Sequence, residues 1–318
     1  MTGPERSGGG ICPPPTNRGA ENPLVVSVDW VEFSAWDDAR AALERVLLTY
    51  VEGEFLDVDH GALGYECQQI GPGGARILWS EKRPETHGVL PGSWCRATSD
   101  ASMRGLLAYV CARARATRID LAGDDWSCRV GPNAVRQAVQ RGEGVTHTRS
   151  RHWHEDLATG AGTLYIGAPS SRQRLRVYDK SIESRGEIAA VRWEVQARSE
   201  AAEGLPCGLA TGNWGAIWAS RVVQIVDFRE RVDGMRPGRC ARSEWFGDLV
   251  GNATKARVYA PRPPTTIAQI EEWIDRQVAP SLAVLVAVSG GDIDRVNAVV
   301  ERGRRRWRKK HRLLLGQS

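Results

Sequence analysis

Arg172-Gln-Arg-Leu-Arg-Val-Tyr-Asp-Lys180 places Arg172, Arg174, Arg176, Tyr178 and Lys180 at every second position. Successive side chains of a β-strand point to opposite faces. A strand here therefore carries three guanidiniums, a phenol and an ammonium on one side and turns Leu175 and Val177 into a core. Arginine binds phosphate oxygens bidentately, and nearby positive charge favours a phenolate, so the stripe suits a tyrosine that attacks a phosphodiester. A solvated strand face would show the same alternation.

Two further segments repeat the pattern. In Arg118-Ile-Asp-Leu-Ala-Gly-Asp124, Arg118, Asp120 and Asp124 share a face opposite Ile119 and Leu121. In Val191-Arg-Trp-Glu-Val-Gln-Ala-Arg198, Arg192, Glu194, Gln196 and Arg198 lie opposite Val191, Trp193 and Val195. If the apolar sides all pack on helices, the charged sides merge into one surface. Asp120 and Glu194 would then offer oxygen ligands to Mg²⁺ or Mn²⁺, which would polarise a phosphate. Arg118, Arg172, Arg174, Arg176 and Arg192 would position a DNA backbone. Tyr178 would attack phosphorus, and Lys180 would stabilise the phenolate or protonate the leaving oxygen. The alternative is ordinary cross-strand pairing, Arg118 to Glu194 or Asp120 to Arg192.

Upstream, Thr163–Gly167 forms a hairpin with Arg172–Lys180 around Ala168-Pro-Ser-Ser171. Leu164 and Ile166 face the core, which leaves Tyr165 on the charged face as an alternative nucleophile. Tyr178 is preferred because Arg176 and Lys180 are its immediate same-face neighbours.

The rest of the chain reads as α+β, an antiparallel sheet with helices packed on one face, followed by a mostly helical C-terminal region with a basic tail. Residues 1–22, with Gly8-Gly9-Gly10 and Pro13-Pro14-Pro15, suit a disordered leader. A strongly β-forming run starts at Pro23, and a helix with Leu43, Val46, Leu47 and Tyr50 on one face begins after Asp37 or Asp38. Residues 53–98 suit short strands, and Ser99 or Asp100 starts a helix built on Met103, Leu106, Leu107, Val110 and Cys111. A short helix follows Pro132, and the polar, Gly-rich residues 141–160 read as a loop. The catalytic domain is expected over 23–200 and a helical or mixed extension over 201–260. After the linker Pro261-Arg-Pro-Pro264, helices occupy 265–318. The first of these, capped by Thr265 or Thr266, carries Ile267, Ile270, Ile274 and Val278.

Composition fits a soluble globular protein, with 42% hydrophobic and 25% charged residues. The net charge of +5 is concentrated at the end: residues 301–318 carry eight Lys/Arg and one Glu, leaving residues 1–300 slightly acidic. The body is thus no general polyanion binder and needs local cationic stripes. Arg304, Arg305, Arg306, Arg308, Lys309 and Lys310 in the tail would neutralise phosphates without reading sequence. Seven widely spaced cysteines without a CxxC pair argue against a disulfide framework or zinc ribbon and suit a reducing cytosol. The N-terminus shows no apolar signal stretch, and the longest apolar run, Val278–Val288, is too short for a bilayer. A soluble cytoplasmic protein with no membrane partner is expected.

Three segments together resemble the replication initiation factor family, the Rep_trans-type rolling-circle initiators of plasmids and phages and related relaxases. They are Thr117-Arg-Ile-Asp-Leu-Ala-Gly-Asp-Asp125, the run from Thr163-Leu-Tyr-Ile-Gly through Arg176-Val-Tyr-Asp-Lys180 to Glu183, and Val191-Arg-Trp-Glu-Val-Gln196. Val28-Asp-Trp-Val-Glu-Phe-Ser34 and Leu90-Pro-Gly-Ser-Trp-Cys-Arg96 are similar too. The likeness implies a metal-dependent nickase that cuts one strand at an origin, stays joined to the 5′ phosphate through tyrosine and later rejoins the ends. Tyr178-Asp179-Lys180 matches the tyrosine motif, and Asp120 and Glu194 match the acidic positions. Origin DNA, double-stranded and locally single-stranded, a host helicase and polymerase, and a homodimer are partners implied by the resemblance. A relaxase starting conjugative transfer, a non-enzymatic origin-binding or repressor protein, and a metal-dependent nuclease without a covalent step remain alternatives. His152-Trp-His154, near His147, has the His–hydrophobic–His form that holds the metal in other tyrosine nickases. There it lies on a strand, whereas this segment reads as a loop. His152 and His154 are the alternative ion ligands.

Overall fold

In the computed structural model, residues 24–36, 40–184, 186, 188–254, 257, 258, 267, 271, 274–305 and 307 are described. The leader 1–22 lies outside them, as do Cys12, Thr265, Thr266, Ile270, Arg306, Arg308, Lys309 and Lys310. Two compact units divide at Ala260/Pro261.

The first unit is built on one large sheet. Its strands are β1 (Leu24–Ala35), β2 (Leu56–Val58), β3 (Cys67–Ile70), β4 (Arg76–Trp79), β5 (Thr86–Leu90), β6 (Ala114–Asp125), β8 (Arg151–Asp156), β9 (Ala161–Ile166), β10 (Gln173–Asp179) and β11 (Val191–Arg198). They lie in the order β2-β3-β4-β5-β1-β6-β11-β10-β9-β8, with every neighbour antiparallel. The two-residue β13 (Arg257–Val258) adds in parallel to the start of β1. Off the sheet, β7 (Gly144–Val145) pairs with β12 (Asp227–Phe228).

Burial follows the alternation of the sequence. Val31, Phe33, Ile119, Leu121, Leu164, Leu175, Val177 and Val195 are buried in the main core. Against this face pack helices α1 (Arg40–Tyr50), α3 (Asp100–Arg113), α4 (Pro132–Gln140), α7 (Leu205–Thr211), α8 (Trp214–Ile225) and α9 (Glu244–Thr254). The shorter helices are α2 (Gly92–Ala97), α5 (Lys180–Glu183) and α6 (Glu200–Glu203). Ser99 caps α3, its hydroxyl accepting from the Ser102 amide at 3.1 Å. The helix then buries Met103, Leu106, Leu107 and Val110, the face its periodicity predicts. Trp218 of α8 lies directly on Gly123, where a Cβ would come within 2.6 Å of the indole, and its Nε1 donates to the Trp193 carbonyl at 3.0 Å. Only glycine lets α8 approach the sheet this closely.

Helices α7 to α9 share the core of the sheet, so the first unit runs to Ala260. In the second unit a π-helical turn, Ile274–Val278, leads into helix Ala279–Val288, and Asp294–Arg304 forms another helix. Neither of these two helices buries a described residue. No helix among the described residues is long and apolar enough to cross a membrane.

Three expectations are corrected. Residues 141–160 are not one loop: β7 and β8 lie inside them, and Trp153 of β8 packs on Gly162 of β9 and joins the core rim. Polar residues hide a strand here because β8 is the last strand of the sheet and five of its six residues are exposed. Second, Lys180 does not continue the strand. Asp179 accepts from the Ser181 amide at 2.8 Å and caps α5, which starts at Lys180. Third, Cys111 of α3 and Cys207 of α7 form a disulfide, with Cα atoms 5.1 Å apart. Arg104 of α3 brings the two helices together by donating to the carbonyls of Leu209, Ala210 and Gly212 at 3.0, 3.2 and 3.0 Å. The 96-residue separation hides that contact from the sequence.

Candidate active site

The sheet face opposite the helices divides in two. Over β3 to β5 it is closed by Tyr65, which stacks on His87 at 5.5 Å between centroids and packs with Leu78 and Val89. The other half, from β1 to β8, carries the three polar stripes. Strand register arranges them in rows across the strands. One row runs His152, Tyr165, Arg176, Glu194, Ala122. The next runs His154, Thr163, Tyr178, Arg192, Asp124. A third contains Arg174, Gln196, Asp120 and Trp30. The merged surface expected from alternation is therefore present.

Glu194 is the hub. Its Oε2 accepts from the Tyr178 hydroxyl at 3.2 Å, and its Oε1 accepts from Arg176 at 3.0 Å and from Gln196 Nε2 at 3.1 Å. The Gln196 amide also donates to Asp120 Oδ2 at 3.3 Å, joining the two carboxylates in one network. Arg118 grips Asp120 with both arms, at 3.0 and 2.6 Å, while lying 4.5 Å over the Trp30 ring. Burial pushes the Asp120 carboxyl up to about 7, with Arg118 opposing and Glu194 and Asp29 adding to the rise.

Tyr178 is buried, and its pKa corrects an expectation. The cations were expected to favour the phenolate. Burial comes first, however, and with Glu194 it drives the hydroxyl well above the ordinary tyrosine range, although Arg192 and Arg176 pull the other way. Desolvation wins because Arg176 and Arg192 already face carboxylates. The phenol therefore stands as a proton donor to Glu194.

Lys180, although on α5, remains beside Tyr178: its Nζ lies 5.9 Å from the ring centroid and donates to Glu183 Oε2 at 2.6 Å. Burial raises the Glu183 carboxyl, but the hydrogen bond and positive charge of Lys180 win and hold it below the usual range.

The arginines separate by role. Arg192 is only 2% exposed and is clamped by Asp124 at 2.6 and 2.7 Å and by Asp29 at 3.1 Å. Its charge ties β11 to β6 and to the β1 bulge beneath the site. Arg172 precedes β10 and pairs with Glu200 at 3.2 Å on the surface. Arg174 lies 3.9 Å over the Tyr165 ring, and Arg176 lies 5.8 Å from the same ring. In the second unit Arg304 and Arg305 are exposed, and Arg304 sits 3.6 Å from Glu301.

Four participants were missed. Asp124 and Gln196 were on the stripes but given no role, and Glu183 lies one helical turn beyond the tyrosine motif. Asp29 is the extra residue of a β-bulge between Val28 and Trp30, which turns it toward Arg192. A signal existed: the alternation of β1 slips phase at Asp29-Trp30.

The donors suit a hard cation. Asp120 and Glu194 are oxygen ligands in one network, and their repulsion with Asp29 is the kind of field a cation relieves. Among the described residues no three His, Cys, Asp or Glu side chains form a ready cage. His152 and His154 share the charged face on exposed β8, two strands from Tyr178, with Ser150 Oγ 2.7 Å from His152 Nε2.

Residues 114–300 match the sequence model of Rep_trans, described as replication initiation factor. The match begins at β6 and includes every polar stripe except the contribution of β1. Five solved chains resemble the fold. One is a rolling-circle replication initiator protein from Geobacillus stearothermophilus, 23% identical, with a TM-score of 0.64 over 76% of this chain and 100% of that one. No curated protein sequence matches.

Proposed function

The chain belongs to the replication initiation factor family, and we propose that it starts rolling-circle replication by nicking one DNA strand at an origin and later rejoining it. The observation that carries this reading is the Tyr178 hydroxyl held 3.2 Å from Glu194 on a sheet face lined with guanidiniums.

In the forward step Glu194 Oε2 takes the phenolic proton as Tyr178 oxygen bonds to phosphorus. The bond from phosphorus to the 3′ oxygen breaks, and Lys180 Nζ gives that oxygen a proton. The products are a 5′-phosphotyrosine ester and a free 3′ hydroxyl that primes synthesis. In reverse, a 3′ hydroxyl returns its proton to Lys180 and attacks phosphorus, while the departing phenolate recovers a proton from Glu194. Arg176, 4.9 Å from the Tyr178 ring centroid, supplies positive charge beside the reacting oxygens. Asp120 and Glu194 would hold Mg²⁺ or Mn²⁺, which supplies polarisation of the phosphate when bound. Tyr165 is the weaker nucleophile candidate because its ring serves as a platform for Arg174.

The test is incubation of purified protein and Mn²⁺ with a supercoiled plasmid carrying its own origin, followed by denaturing separation of protein–DNA adducts. An adduct supports the reading. Nicking without an adduct would instead assign a nuclease in which Tyr178 is structural, and binding without nicking an origin-binding protein. Transfer of a mobile element by a relaxase uses the same chemistry and differs in the origin cut.

A further inference from the structure

Three arginines of the charged face already have carboxylate partners. Arg118 holds Asp120, Arg176 holds Glu194 and Arg192 holds Asp124. Arg174 differs. Among the described residues it has no carboxylate partner, and its Nε is buried without a hydrogen bond, as is the Nε of Arg176 two residues along the strand. Its guanidinium is laid on the Tyr165 ring at 3.9 Å, which fixes its plane without neutralising it. Burial, together with Arg176 and Arg198, disfavours its charge, so an anion arriving there would relieve an existing electrostatic cost. A guanidinium whose plane is set by a ring and whose charge no carboxylate takes up suits a phosphodiester.

We propose that Arg174, seated on Tyr165, anchors a backbone phosphate of the single strand that runs along β10 past Tyr178. Four strand residues span about 14 Å, and a nucleic-acid strand advances about 3.4 Å per nucleotide when stacked and about twice that when extended. The anchored phosphate is therefore roughly two to four linkages from the cut. The assignment rests on the reading that this face takes DNA. It gives Tyr165 a positioning role and explains a tyrosine on the charged face without a second nucleophile.

The experiment is fluorescence anisotropy of fluorescein-labelled (dT)₁₅ with the full chain, titrated from about 50 to 200 mM salt. Arg174→Gln is expected to weaken binding and to make the slope of log K against log salt shallower by about 0.7, the loss of one phosphate contact. Tyr165→Phe should match wild type because the ring remains, and Tyr165→Ala should approach Arg174→Gln. A merely structural arginine would change affinity or folding and leave the slope alone. An unchanged slope in Arg174→Gln, or a Tyr165→Phe loss as large as that of Tyr165→Ala, overturns the anchor even if the plasmid assay yields an adduct. Absence of wild-type binding to (dT)₁₅ overturns the DNA-binding reading of the face and the anchor with it.

Discussion

Tyr178 and Glu194 meet diagonally across β10 and β11: the hydroxyl reaches Oε2 at 3.2 Å although Tyr178 lies opposite Arg192 and Glu194 opposite Arg176. The offset divides the carboxylate. One oxygen serves the phenol and the other serves Arg176 and the Gln196 amide. Straight across the ladder the phenol would have met Arg192, whose charge is already paired with Asp124 and Asp29.

Glu194→Gln removes the proton acceptor while keeping the shape. Adduct formation, followed by gel under single-turnover conditions, should slow by about 100- to 10,000-fold. Asp120→Ala should raise the Mn²⁺ concentration needed for half-maximal cleavage, and chelation of the ion should stop cleavage of wild type. Normal metal dependence in both variants, with loss in His152→Ala/His154→Ala, would move the ion to β8.

Lys180 and Glu183 should act on the leaving oxygen. A substrate with sulfur in place of the scissile 3′ oxygen needs no proton on departure. Lys180→Met should slow the natural substrate about 100-fold or more, and Glu183→Gln should slow it by a smaller factor. Both should cleave the sulfur substrate at the wild-type rate. Equal defects on both substrates would show that the pair only shapes the site.

Away from the site, Asp227 ties the β12 segment to two arginines, accepting from Arg242 at 2.8 Å and Arg229 at 2.9 Å. Burial raises its carboxyl, but the hydrogen bonds from Arg242 and Arg229 prevail and lower it. Stability from this group is therefore present above the unfolded carboxylate value of about 4 and is lost as pH falls through the lower folded value. Asp227→Asn should destabilise by about 1–3 kcal/mol at pH 7 in urea unfolding. The gap to wild type should close on acidification. A gap independent of pH would mean that packing and not charge holds the segment.

The disulfide between α3 and α7 closes a loop of 96 residues in sequence. Reduction should lower stability by about 3–4 kcal/mol. Cys111→Ser should start at that lower value and not respond to reductant. Identical melting of oxidised and reduced wild type would mean that the Arg104 contacts alone set this interface.

The sheet was legible because its signal is local. Two-residue alternation in 118–124, 172–180 and 191–198 placed Tyr178, Asp120 and Glu194 on one face without any knowledge of strand order. What remained hidden depends on contacts across the fold. The phenol was misjudged because sequence shows nearby cations but not the carboxylates that already occupy them. Asp29 required recognition of a bulge, and β8 was masked by exposure at the sheet edge. Cys111 and Cys207 are neighbours only once two helices lie side by side.

The most direct measurement of the central claim is peptide mapping of the protein–DNA adduct by mass spectrometry after nuclease digestion. The phosphodiester remnant should sit on the peptide containing Tyr178, and Tyr178→Phe should give no adduct while still binding DNA. A remnant on Tyr165, or an undiminished adduct from Tyr178→Phe, would contradict the account.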